Sequence, residues 1–134
     1  MNAEQFDIKI RVVEGGVTAA AGFKAAGIHA GFRKNPERLD YALVVPDKPC
    51  PGAGVFTTNR FCAAPVQVSR ANLGGADKGY GVIAGISVNS GNANAATGET
   101  GLACARETCN IASQVIGCEP QQILVASTGV IGQI

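Results

Sequence analysis

The residues with the clearest chemical potential lie near the end of the sequence, in the stretch 122–132, Gln-Ile-Leu-Val-Ala-Ser-Thr-Gly-Val-Ile-Gly. Four consecutive apolar residues followed by Ser-Thr-Gly predict a buried strand that leads directly into a tight turn. In that turn the Thr128 hydroxyl offers a donor, and Gly129 allows a substrate to approach the main chain. Together they could stabilise a developing oxyanion. The alternative, which this segment alone favours, is a strand that simply ends in a glycine turn.

A second polar segment, residues 89–97, follows an apolar stretch at 82–88 that predicts a central strand. If this strand and the last one are neighbours, both polar segments open at one edge of the sheet and form a common site. Neither segment contains a nucleophile paired with a base, so the nucleophile lies outside this sequence or there is no covalent chemistry. Residues 57–60, Thr-Thr-Asn-Arg, either line a polar pocket or close a turn.

The one histidine, His29, has no acidic residue at a spacing that suggests a catalytic pair, and we interpret it as structural. The sequence contains no GxSxG, GxGxxG or GxxxxGK[ST] motif, which argues against a serine hydrolase and weakens a nucleotide-binding interpretation. A polar glycine segment before a helix still leaves an anion cradle open as an alternative.

The composition of the sequence excludes several classes of protein. The 134 residues suffice for one core, and with 16% charged residues and a net charge of +1 they predict no binding of nucleic acid or of an anionic membrane. Five cysteines at irregular spacing, without CxxC, argue against a zinc site or a disulfide framework. We see no signal peptide and no apolar run of transmembrane length, so we expect a cytoplasmic protein with reduced thiols.

Eighteen glycines and few aromatic residues indicate an α/β arrangement with many turns, and several elements must position the two polar segments. A helix is predicted from Thr97 to Gly117, with a buried stripe at Leu102, Ala105, Cys109, Ala112 and Ile116. Loops are predicted at 46–52 and 73–81. Strands are predicted at 8–13, as two strands around Gly27 within 17–32, and at 39–45, 63–70, 82–88 and 123–126.

Four motifs in order give the sequence a resemblance to a known family. They stand at residues 22–28, at 55–60 with 63–66, at 89–95 with 97–98, and at 127–132. Together they closely resemble the ArgJ family, the bifunctional ornithine acetyltransferases (glutamate N-acetyltransferases) of arginine biosynthesis. The resemblance implies a DmpA/ArgJ-like α/β fold of mixed sheets and packed helices.

The resemblance also implies a mechanism. Family members are precursors that cleave themselves before an internal threonine, which becomes the N-terminal nucleophile of a β chain. This threonine takes acetyl from N-acetylornithine and passes it to glutamate, and bifunctional members also use acetyl-CoA. The Thr-Gly of the last motif, here Thr128 and Gly129, forms the oxyanion hole. The implied assembly is a heterotetramer of two α and two β chains, and no resident cofactor or metal is expected.

The sequence stops at Ile134, before the cleavage threonine of the family. Residues 1–134 therefore resemble the N-terminal part of an α chain, which we expect to be inactive without the remaining precursor. The competing hypothesis is a non-catalytic α/β domain that binds a small ligand or nucleotide with the glycine-rich loop as an anion cradle.

Overall fold

A computed structural model describes residues 10–75 and 77–134 of the chain. In chain order the strands and helices are β1 (Phe23–Ile28), β2 (Tyr41–Pro46), β3 (Cys50–Ala53), α1 (Ala64–Asn72), β4 (Tyr80–Ile83), β5 (Gly85–Asn92), α2 (Gly98–Ile116) and β6 (Ile123–Val130). Short 3-10 turns at Gly16–Ala19 and Pro120–Gln122 precede β1 and β6.

The main sheet has the strand order β1-β2-β5-β6 and is mixed. Antiparallel pairing joins β1 to β2 and β2 to β5, whereas β5 and β6 are parallel. A parallel pair needs a long crossover connection, which α2 supplies here. The strands β3 and β4 form a separate antiparallel pair. The predicted α/β fold of mixed sheets and packed helices is confirmed.

The core lies where both helices pack against β6. Its buried members are Ala64, Val68, Ala105, Cys109, Ala112, Ile123 and Val125. The predicted stripe of α2 is confirmed, with its middle three residues buried and both ends partly buried against the core. Burial raises the pKa of the Cys109 thiol, against the smaller opposing effect of a hydrogen bond from Asn72. Cys104, on the same helix, is exposed.

The ends of α2 lie where the sequence predicts them. Gly117 ends the helix with φ +81°, a left-handed conformation that glycine adopts without strain. Thr97 occupies the N-cap position, but its hydroxyl donates to the Asn94 side chain at 2.7 Å and accepts no hydrogen bond from an N–H of the first turn. The side chain therefore stabilises the preceding loop.

Two predicted elements have the wrong type. Residues 63–70 form helix α1 and not a strand, because Pro65 in the first turn costs no hydrogen bond and the helix buries Val68 and Ser69 on one face. The prolines at 46–52 do not exclude regular structure, since β3 includes Pro51. A two-stranded pair leaves one side of each strand without a partner, and proline is tolerated there.

Three predicted strands have different bounds. The stretch 82–88 is divided at the buried Ala84 between β4 and β5, which belong to different sheets. One strand, β1, passes through Gly27 where we predicted two. Of the strand predicted at 8–13, residues 8 and 9 lie outside the described residues, and 10–13 are exposed and form no strand. The strand predicted at 39–45 is confirmed as β2.

Within residues 10–75 and 77–134, no helix has the length and apolar character needed to cross a membrane.

Candidate active site

The parallel pairing of β5 with β6 brings the two polar segments together, as predicted for neighbouring strands. Asn89 is the Cα partner of Ser127, Ser90 of Thr128, and Gly91 of Gly129. Both segments therefore lie side by side at the C-terminal ends of the two strands.

The predicted tight turn at Ser-Thr-Gly is wrong, because β6 continues through these residues to Val130. Gly129 makes this possible, with φ +137°. A β-carbon on Gly129 would overlap the carbonyl group of Gly91 and lie 2.6 Å from the Asn92 nitrogen. The close approach that the sequence predicts for Gly129 is thus made to β5.

Along β6, the N–H and C=O groups of successive residues point alternately towards β5 and away from the sheet. The N–H and C=O of Val125 point outwards, because they exchange hydrogen bonds of 2.9 and 2.8 Å with the Ser69 hydroxyl of α1. By the two-residue period of a strand, the N–H groups of Ser127 and Gly129 point the same way. In the described part of the chain β6 is an edge strand, and Gly129 is exposed. Its N–H is therefore a donor directed away from the sheet.

The Thr128 side chain lies on the face of the sheet opposite to the buried Ile123 and Val125, and it is exposed. Its hydroxyl makes no hydrogen bond to any residue that the structure describes. Thr128 and Gly129 thus present one hydroxyl and one N–H donor at the rim of the sheet, the two groups that an oxyanion hole needs.

A cavity of about 220 Å³ lies beside this rim, on the helix face of the sheet. Its polar lining includes Asn89, Ser127 and Thr108, and Cys104 also borders it. The Ser127 hydroxyl donates to Asn89 Oδ1 at 2.5 Å, which ties the two strand ends together inside the cavity. Thr128 and Gly129 do not line this cavity.

The asparagine side chains of residues 89–97 make hydrogen bonds to nearby backbone groups. Asn89 donates to the Asn92 carbonyl at 2.8 Å, and Asn92 Oδ1 accepts from the Asn94 N–H at 2.6 Å. The Asn94 amide donates to the Gly101 carbonyl at 2.8 Å. The N–H of Asn94 is thus occupied, and the Gly101 N–H makes the first bond of α2, to the Thr97 carbonyl at 3.2 Å.

Residues 57–60 also make turn hydrogen bonds. The Thr57 hydroxyl accepts from the Asn59 N–H at 3.1 Å, and Asn59 Oδ1 accepts from the Phe61 N–H at 2.9 Å. Arg70 donates to the Thr57 carbonyl at 2.6 Å. These contacts agree with the turn interpretation of this segment.

His29 has an acidic neighbour that its spacing in the sequence did not suggest. Pairing of β1 with β2 places His29 Nδ1 3.2 Å from Asp40 Oδ2 and 3.2 Å from the Arg38 carbonyl. Asp40 is only 2% exposed. Burial alone would raise the pKa of Asp40, but N–H donors at 2.6 Å from Ala30 and 2.8 Å from Arg33 outweigh it and lower the pKa.

Sequence reasoning missed Arg33, which joins the loop after β1 to β5. Its guanidinium donates to the Ser90 hydroxyl oxygen from Nη2 at 2.5 Å and from Nε at 3.2 Å. Because these residues are 57 positions apart, no spacing pattern could have paired them. Among the described residues, no group of three or more His, Cys, Asp or Glu side chains could hold a metal ion.

Known proteins with the same sequence features are arginine-biosynthesis proteins. The "Arginine biosynthesis bifunctional protein ArgJ" of Dehalococcoides mccartyi is 47% identical over 120 residues, 89% of this chain and 28% of the relative. The protein of that name from Thermosynechococcus vestitus is 48% identical over 121 residues, again 28% of its length. The chain thus spans little more than a quarter of these relatives.

Two crystal structures share the fold. The arginine biosynthesis bifunctional protein argJ of Bacillus halodurans superposes with a TM-score of 0.80 at 36% identity, covering 90% of this chain and 60% of that one. The ornithine acetyltransferase of Mycobacterium tuberculosis, complexed with ornithine, gives a TM-score of 0.75 at 38% identity, covering 88% and 61%.

The model of the ArgJ family matches residues 24–134, which include all but the first residue of β1, the whole of β2 to β6, and the rim formed by Thr128 and Gly129. Because this match extends over most of the sequence, and the shared fold brings the motifs at 89–98 and 127–132 together at one sheet edge, the chain belongs to the ArgJ family.

Proposed function

We propose that this chain supplies the oxyanion hole of an acetyltransferase that moves acetyl from N-acetylornithine to glutamate in arginine biosynthesis. The observation that carries the proposal is the pair of available donors at the sheet rim, the Thr128 hydroxyl and the outward N–H of Gly129. The structure of the Mycobacterium tuberculosis relative, an ornithine acetyltransferase complexed with ornithine, supports this substrate class.

In the proposed reaction the nucleophile is the N-terminal threonine of a β chain that comes from the same precursor. Its hydroxyl attacks the acetyl carbonyl of N-acetylornithine, and its α-amino group takes the proton. The carbonyl oxygen becomes an oxyanion, which Thr128 and Gly129 stabilise until ornithine leaves with a proton. Glutamate then attacks the acetyl-threonine through its amino group, and the same donors stabilise the second oxyanion. The ester C–O bond breaks, the threonine oxygen takes up the proton that the glutamate amine loses, and N-acetylglutamate leaves.

Several parts of the proposal concern the longer protein. We propose that two α and two β chains assemble, that acetyl-CoA is a second acetyl donor, and that no resident cofactor is needed. A cytoplasmic location is proposed on the basis of the composition of the sequence. Residues 1–134 alone would lack the nucleophile and show no turnover.

The competing hypothesis is a non-catalytic domain that binds a small ligand or nucleotide, and it is the weaker one because the sequence has neither a GxGxxG nor a GxxxxGK[ST] motif. It would gain support if the full-length protein lacked an internal cleaved threonine. Intact mass and N-terminal sequencing of every polypeptide in a purified sample distinguish the two hypotheses.

The oxyanion role is tested by Thr128→Ala in the full-length protein, with the exposed Thr58→Ala as the matched control. Loss of one oxyanion donor lowers kcat by about 10²–10³-fold. We expect that loss for Thr128→Ala with KM nearly constant and the self-cleavage products intact, and no such loss for the control. Unchanged acetyl-transfer kinetics in Thr128→Ala would remove Thr128 from the mechanism.

A further inference from the structure

The guanidinium of Arg33 carries a charge that no acid neutralises within the described residues. It is partly buried, and its hydrogen-bond acceptor is the Ser90 hydroxyl oxygen, approached by two nitrogens. No carboxylate lies within ion-pair distance of it in the part of the chain that the structure describes. Hydrogen bonds from a charged donor are stronger than neutral ones, so this contact restrains Ser90 firmly.

The loop that carries Arg33 is itself anchored to the sheet. The buried Asp40 carboxylate accepts from the N–H groups of Ala30 and Arg33, and the Asp40 carbonyl accepts from the Ser90 N–H at 2.8 Å. The Phe32 carbonyl lies so close to Gly91 that a β-carbon there would come within 2.7 Å of its oxygen. The loop therefore contacts β5 at Ser90 and Gly91, the two residues beside the candidate oxyanion hole.

Ser90 and Gly91 are the Cα partners of Thr128 and Gly129, and partners in a ladder have side chains on the same face. From this chain of contacts, and resting on the proposed function, we propose that Arg33 is a positioning residue of the oxyanion hole. By fixing Ser90 it holds the end of β5, and β5 in turn holds Thr128 and Gly129 in the geometry that the oxyanion requires. Small displacements of such donors reduce the rate of reaction strongly.

The test uses the full-length protein and steady-state acetyl transfer from N-acetylornithine to glutamate. Arg33→Met keeps the length of the side chain but removes both hydrogen bonds. We expect kcat to fall roughly tenfold while both KM values stay within about twofold, since the oxyanion exists only in the transition state. Arg33→Lys keeps one charged donor and should recover most of kcat. Arg38→Met is the matched control, because its side chain lies in the same loop without a hydrogen bond among the described residues.

A double-mutant cycle separates positioning from general damage. If Arg33 acts through the oxyanion hole, adding Arg33→Met to Thr128→Ala should lower kcat by clearly less than the roughly tenfold loss expected in the wild-type background, because only the Gly129 donor is left to be displaced. An equal loss in both backgrounds overturns the proposal, and so does an unchanged kcat in Arg33→Met. If Arg33→Met does not fold, Ser90→Ala is used in its place, because it removes the acceptor of the same hydrogen bonds. The same changes in kcat and KM are expected for it. Failure of Thr128→Ala to lower kcat would instead refute the proposed function.

Discussion

Gly91 and Gly129 lie face to face across the parallel pair β5–β6, so close that a β-carbon on Gly129 would overlap the Gly91 carbonyl group. This contact lets both strands continue as a ladder to Asn92 and Val130, past the predicted ends. It also places the Gly129 N–H at the rim of the sheet. The geometry of the candidate oxyanion hole thus depends on two positions without side chains.

Gly129→Ala should therefore disrupt the site. The methyl group meets the β5 backbone, and the residue would have to adopt φ +137°, a conformation that costs an L-residue about 1–3 kcal/mol. We expect loss of acetyl transfer and a lower unfolding midpoint in the full-length protein. Gly132→Ala is the control: its φ is +76°, but nothing lies within 4 Å of the added carbon. Equal effects of the two variants on acetyl transfer would contradict the close-contact explanation.

Ser69 is predicted to stabilise the outer edge of β6. Its hydroxyl bonds both the N–H and the C=O of Val125, and it is 7% exposed. Ser69→Ala leaves these two buried groups without partners, and we expect a loss of about 1–3 kcal/mol in the free energy of unfolding, measured with urea.

The control for Ser69 is Ser113→Ala, at a site that is also buried. Ser113 donates only to the Asn110 carbonyl within α2, so no strand group loses its partner. If Ser113→Ala were as destabilising as Ser69→Ala, burial and not the contact with Val125 would explain the effect.

Asp40 should make stability depend on pH at the acid end. The folded protein lowers its pKa below the ordinary value of 3.8, so the stabilisation is fully present above pH 3.8 and is lost at lower pH as the folded carboxyl takes up a proton. In Asp40→Asn, an amide N–H₂ would face one of the N–H donors. We expect wild type to be more stable than this variant near neutral pH, with the difference shrinking below pH 3.8.

Urea midpoints measured from pH 6 downwards check this prediction. The control is Asp47→Asn, since Asp47 is exposed and pairs with Lys24 at 2.8 Å on the surface, where ion pairs contribute little. A difference between wild type and Asp40→Asn that stays constant with pH would show that the carboxylate charge is not the cause.

Local patterns in the sequence sufficed for some elements. The stripe of α2 and its end at Gly117 follow from helical periodicity and glycine conformation, and β2 follows from its β-branched residues. The sequence predicts a strand at 63–70 and a proline-rich loop at 46–52, whereas the structure has helix α1 and strand β3 there. Proline is compatible with a first helical turn and with an unpartnered strand side, and only the neighbours of a segment decide whether it has either.

The sequence by itself determined the residue types of the site: a hydroxyl and a glycine after an apolar strand, within motifs specific enough to place the chain in its family. Only the tertiary structure decided that Ser127, Thr128 and Gly129 belong to the strand, and that Arg33 and Asp40 support its neighbour β5. The reason is physical. Propensity acts between residues a few positions apart, whereas backbone contacts and buried hydrogen bonds join residues that only folding brings together.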